Sequence, residues 1–377
     1  KGIQDSGLML LACMGESIAP YVQKGLIEPD RQWKYDLVHI LWAMPDFPAW
    51  ELDNEYDYHH GKAEHGRQWQ AYHAYHRLFG EIVKFMKPQC LAVEQGTAGV
   101  HPEWVERSIK AGAFEKIDVV NAHFYCGIDP PESSVENANG PGEENDVMLI
   151  ADRLRAFAKA ADCDGRDRQA WITEFGWDTR AGYVVSEDEQ AYYLQRGYLM
   201  GLACGIDKMF WFWDWDNKEV ATTYFDGCGL FDYRNEPKPA AAALAALTHL
   251  LHNPRVLGSF DLPGDILGYV IRDGEQLWAC VFRPEKGANP VEVALPGTEF
   301  FDMYGNRLPE KPRQVGVTPI WIRGFQQDEP VVVETGFSWE TPQLVPAVGG
   351  EPLKLVWSVN NISQKDLRGT WQLELPP

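Results

Sequence analysis

The sequence has no apolar run of the roughly 18 to 20 residues needed to cross a bilayer, and its opening KGIQDSGLML lacks the basic, apolar and cleavage-site layout of a signal peptide. A membrane partner is therefore not expected. Basic residues are also scarce: 34 Lys and Arg stand against 55 Asp and Glu, and the formal net charge of -21 repels nucleic acid phosphates and anionic membrane surfaces. Nucleic acid is excluded as a partner on the same ground. Metal-binding spacing is missing as well. The seven cysteines (Cys13, Cys90, Cys126, Cys163, Cys204, Cys228 and Cys280) include no CxxC pair, so neither a zinc ribbon nor a dense disulfide framework is indicated. The adjacent His59 and His60 would point apart and chelate poorly. Neither a metal nor another cofactor is expected.

What is present is a chain of 377 residues, 45% hydrophobic, long enough to bury a large core in two or three domains. Fifteen tryptophans supply flat rings suited to stacking on the apolar faces of sugars, although tryptophan also fills ordinary cores. Through the first two thirds, β-rich runs alternate with helical patterns, the rhythm of βα units around a parallel sheet. Six strands can be read: Gly7 to Met14, Ala49 to Asn54, Gln89 to Glu94, Asp118 to Tyr125, Gln169 to Glu174 and Lys208 to Asp214. Ser186 and Glu189 form a capping-box pattern before one helix, and Pro239 suits the first turn of another, alanine-rich one. From about residue 254 the pattern changes to short strands with turn residues, as in a small antiparallel β-domain.

Two segments concentrate the chemistry. WELDNEYD places Asn54 and Glu55 at the end of one strand, and AWITEFGWDT places Glu174 at the end of another. Carboxylates at the C-terminal ends of barrel strands face the mouth of the barrel. Retaining glycosidases require such a pair about 5 to 5.5 Å apart, one protonating the leaving oxygen while the other attacks the anomeric carbon. Two competitors lack the same context. Glu236, in RNEPKP, spells a similar motif but has no strand before it and follows Glu174 in the chain. Glu94 also ends a strand, and reads either as a third active-site carboxylate or as a hydrogen-bond acceptor behind the site.

WELDNEYD and WITEFGW resemble the motifs of the clan A barrel glycosidases, whose acid/base follows an asparagine on the fourth strand and whose nucleophile ends the seventh. Two strands lie between the Glu55 and Glu174 strands, as that numbering requires. GLFDYRNEPKPAAAALAALTHLL and DMYGN resemble family 39 and related members, so the likeness runs over roughly residues 5 to 325. It implies a (β/α)8 TIM barrel over 1-252, holding strands 3 to 8 and so incomplete at its N-terminus. A small antiparallel β-sandwich over 253-325 follows, and then the start of a further β-domain over 326-377. It further implies that Glu55 is the acid/base and Glu174 the nucleophile, and that the bound sugar is held by Asn54, His123, Tyr125, Trp211 and Trp213. The two tryptophans, two apart on one strand, are expected to share a role. The implied activity is cleavage of β-glycosidic bonds in an oligosaccharide, polysaccharide or simple glycoside, outside the cell or in the periplasm. The alternative is a non-catalytic carbohydrate-binding protein on the same barrel.

Overall fold

The computed structural model describes residues 9–15, 18–22, 24, 26–59, 65–137, 146–182, 184–216, 219–262, 265–325, 337–339 and 359–361. Strands β1 (Leu11–Cys13), β2 (Ala49–Glu51), β3 (Leu91–Val93) and β4 (Val119–Phe124) precede a hairpin of β5 (Ser134–Asn137) and β6 (Asp146–Leu149). Then come β7 (Gln169–Phe175) and β8 (Lys208–Trp211). Six of these strands form one parallel sheet in the order β1-β2-β3-β4-β7-β8, so chain order and spatial order coincide. The expected βα rhythm is therefore present, and the strands carrying Glu55 and Glu174 are separated by two others. The β5-β6 hairpin, which forms its own sheet, was not anticipated.

Helices α1 (Arg31–Ala43), α2 (His65–Met86), α3 (Pro102–Lys110), α4 (Ile150–Ala161), α5 (Glu187–Ala203) and α6 (Pro239–Leu250) alternate with or follow the strands. Their starts obey local chemistry. Asp30 accepts the Trp33 N–H at 2.8 Å to cap α1, the Ser186 and Glu189 capping box opens α5, and Pro239 stands in the first turn of α6. One face of the sheet and the helices build the main core. The other face closes on itself through Ala49, Val93, Val119 and Trp171, with Leu11 and Phe210 packed beside them. Every residue of β4 is buried, as expected of a strand covered on both faces.

A second unit follows: β9 (Pro254–Leu262), β10 (Ile266–Asp273), β11 (Gln276–Phe282), β12 (Val291–Glu292), β13 (Glu299–Phe301), β14 (Gln314–Val315) and β15 (Ile320–Arg323). Five of these make an antiparallel sheet in the order β13-β15-β11-β10-β9, and β12 pairs with β14. Alternation along the strands divides its side chains. Tyr269, Ile271, Trp278, Cys280, Phe282 and Trp321 pack on Leu199 of α5 and Leu247 and Leu250 of α6. Val270, Ala279, Val281 and Ile322 pack on the opposite side with Val315 of β14. Beyond this unit, only the antiparallel pair β16 (Phe337–Trp339) and β17 (Val359–Asn361) is described. The rest of 326-377 lies outside the described residues, as does His60. No helix among the described residues is long and apolar enough to cross a membrane.

Candidate active site

The C-terminal ends of β2, β4 and β7 bring the candidate residues together. Asn54 bridges in parallel to Gly96 beyond β3, and the Glu55 N–H donates to the Gly96 carbonyl at 2.9 Å. Glu55 has φ +45°, a left-handed conformation that turns the chain off the strand immediately after Asn54. On β7 an irregularity makes His123 pair with Glu174 although Ala122 pairs with Ile172, leaving Thr173 as the extra residue. Such a bulge re-aims the side chain beside it.

His123 stands between the two carboxylates. Its Nδ1 lies 2.8 Å from Glu55 Oε1 and 3.5 Å from Glu174 Oε2. One atom each of Glu55, His123 and Glu174 lies within 4.8 Å of the other two. The Tyr125 hydroxyl donates to Glu174 Oε2 at 2.8 Å, and its ring packs on Phe225 and edge-on to Phe212. The histidine is 1% exposed. Burial opposes its charged form, but the hydrogen bond to Glu55 and the fields of Glu174, Glu51 and Glu55 outweigh it and raise its pKa. Burial also raises the Glu174 carboxyl above the usual range, with Glu55 adding to the effect, while His123 and the Tyr125 hydroxyl pull it down.

Beneath this layer lies a set of buried polar groups, of which the sequence singles out Glu94 but not Glu51 or Asn121. Glu51 Oε1 accepts from Asn121 Nδ2 at 2.8 Å and from the Gly96 N–H at 3.1 Å. Asn121 Oδ1 accepts from the N–H and hydroxyl of Thr173 at 3.2 and 3.0 Å, so one side chain ties β2, β4 and β7 together. Glu94 accepts the Asn121 N–H at 3.2 Å and bonds the Tyr72 hydroxyl, a position behind the site. Burial pushes Glu51 up to about 7 and Glu94 up to about 8. The signal that could have found Glu51 and Asn121 is alternation: Glu51, Asp53 and Glu55 are two apart, as are Asn121, His123 and Tyr125.

The tryptophans occupy different surroundings. Strand β8 ends at Trp211, so the alternation expected to pair Trp211 with Trp213 does not continue to the second residue. Trp211 packs on Phe175 and Trp177 and gives its indole N–H to the Cys228 carbonyl at 2.9 Å. Trp213 is 43% exposed beside Phe212. Glu236 lies in a tight turn whose N–H groups bond Asp232, with its side chain 69% exposed. Glu55, His123 and Glu174 are also the one group among the described residues with the donor atoms to hold a metal ion, but Nδ1 is already engaged with Glu55 at hydrogen-bond distance.

No protein-family model matches the chain, and no curated protein matches it. Solved structures do. A family 39 glycoside hydrolase from Bacteroides cellulosilyticus WH2 superposes with a TM-score of 0.63 at 18% identity, over 77% of this chain and 61% of that one. The family 30 subfamily 8 xylanase Xyn30A from Clostridium acetobutylicum gives 0.51 at 10% identity, over 78% and 72%. SrfJ from Salmonella typhimurium gives 0.51 at 9%, over 78% and 62%. The chain thus spans about three fifths of the family 39 structure's length. Its α/β unit has the fold of the clan A glycoside hydrolases.

Proposed function

We propose that the chain carries the catalytic unit of a retaining β-glycosidase, acting on an oligosaccharide, polysaccharide or glycoside outside the cytoplasm. The observation that carries this reading is the approach of Glu55 and Glu174 within 4.8 Å across His123, a spacing suited to direct attack rather than to an intervening water. Glu174 is the nucleophile, favoured in its ionised form by the Tyr125 hydroxyl; Glu55 is the acid that protonates the leaving oxygen. Attack by Glu174 on the anomeric carbon breaks the bond to that oxygen and forms a glycosyl ester. With the leaving group gone, Glu55 takes a proton from the incoming water, which hydrolyses the Glu174 ester. Asn54 stands beside the acid to bind the sugar 2-hydroxyl. The exposed Trp213, packed beside Phe212, offers a face for the ring, and Trp211, packed on Phe175 and Trp177, lines the end of β8.

In this reading residues 1-252 form the barrel unit and residues 253-325 form a β-sandwich docked on α5 and α6. Glu174→Ala should lower turnover of an aryl glycoside by at least about 1000-fold, and azide should restore part of it as the glycosyl azide of inverted configuration. Turnover left intact by the substitution would remove Glu174 from the mechanism.

A further inference from the structure

The hydrogen bonds of Glu51 converge on a single oxygen with a consequence for both Glu55 and His123. Glu51 is 3% exposed, and its Oε1 holds the Gly96 N–H from below while the Gly96 carbonyl accepts the Glu55 N–H. Gly96 is also where the His123 ring rests: a Cβ there would lie 2.1 Å from Nε2, a distance no side chain could accept. The same oxygen accepts from Asn121, two residues before His123 on β4. One buried carboxyl therefore fixes the peptide that turns Glu55 off its strand, the surface under the imidazole and the strand that carries it.

We propose that Glu51 is a positioning residue for the acid step, setting Glu55 and His123 through Gly96 without touching substrate. This rests on the glycosidase reading above. Around Glu51 stand Cys13 of β1, Glu94 beyond β3, Asn121 and His123 of β4 and Glu174 of β7. Asn121 and Gly96 supply its hydrogen bonds, both to an oxygen acceptor that a glutamine would retain. Loss of that acceptor frees the Gly96 peptide and lets Glu55 drift from the leaving oxygen.

The distinguishing measurement is leaving-group dependence, because an acid matters only when the departing group is a poor one. Phenyl and 2,4-dinitrophenyl glycosides of the sugar cleaved fastest by the unaltered protein are compared by kcat/KM. Glu51→Met fills the volume without an acceptor; it should lower kcat/KM about 100-fold for the phenyl glycoside, the scale of a misplaced catalytic group, and less than about fivefold for the dinitrophenyl one. Glu51→Gln should keep both within about threefold of the unaltered protein. Equal losses on both substrates in Glu51→Met, or a phenyl loss in Glu51→Gln as large as that in Glu51→Met, overturn the proposal. If Glu51→Met does not fold, Glu51→Ala carries the same comparison. Failure of the underlying reading is separable: there the unaltered protein would cleave neither substrate, or Glu174→Ala would cleave both.

Discussion

At Tyr125 the hydroxyl opposes the burial that raises the Glu174 carboxyl, so its removal has a definite sign. In Tyr125→Phe the Glu174 pKa rises further, and the ionised nucleophile is lost at a higher pH on acidification. The acidic limb of kcat/KM should therefore move to higher pH. A hydrogen bond to a charged group contributes about 1.5–3 kcal/mol, so activity on the acid side should fall roughly 10- to 100-fold. A pH profile of the variant superimposing on that of the parent would show that the hydroxyl does not bear on Glu174. The residues that meet here were legible because each sits at a strand end in an apolar context: Glu55, His123, Tyr125 and Glu174. Glu51 and Asn121 obey the same alternation, but a buried Glu or Asn inside a strand has no local mark separating it from an exposed one. The Trp211 indole N–H finds its acceptor 17 residues onward at Cys228, a contact no spacing rule contains.

Among the elements, periodicity and capping were the readable features. The parallel strands, the capping box before α5 and the proline-led α6 follow from local chemistry that the surrounding fold does not override. Strand lengths were less readable. β2 is assigned only to Ala49–Glu51, and the chain reaches Glu55 through an isolated bridge to Gly96 rather than a continuous ladder. β8 likewise stops at Trp211, because where a strand ends depends on pairing with a neighbour that its own sequence does not specify. The register irregularity before Glu174 belongs to the same class: it depends on how β4 and β7 are aligned, and it decides where the carboxylate points.

For the whole molecule, docking of the β-sheet unit reaches back toward the site. Buried Arg196 of α5 pairs with Glu132 and also donates to the carbonyl of Pro284, while Lys286 donates to the carbonyl of Ile128 at 2.7 Å. The connection that leaves Tyr125 is thereby tied to both α5 and the second unit. None of this was readable from the sequence, where Arg196 is one more basic residue on a helix. The buried carboxyls make a prediction at this scale too. Glu51 and Glu94 hold their protons in the folded chain to about pH 7 and 8, whereas in the unfolded chain they release them near 4.5. Their contribution to stability is complete below the unfolded value and is lost as pH rises through the folded ones, at a slope of at most about 1.4 kcal/mol per pH unit for each group. Urea midpoints should therefore fall between pH 5 and 8, and Glu94→Gln should flatten the fall. A fall equally steep in that variant would show that the titration lies elsewhere.

Double displacement requires that Glu174 form a covalent bond to the sugar. Incubation with 2-deoxy-2-fluoro glycosides bearing a good leaving group, followed by peptide mass analysis, tests it most directly. The expected result is one fluoroglycosyl group per chain, carried by the peptide containing Glu174 and absent from Glu174→Ala. A protein that hydrolyses the parent glycosides but takes up the label on another peptide, or takes up none, would contradict the account.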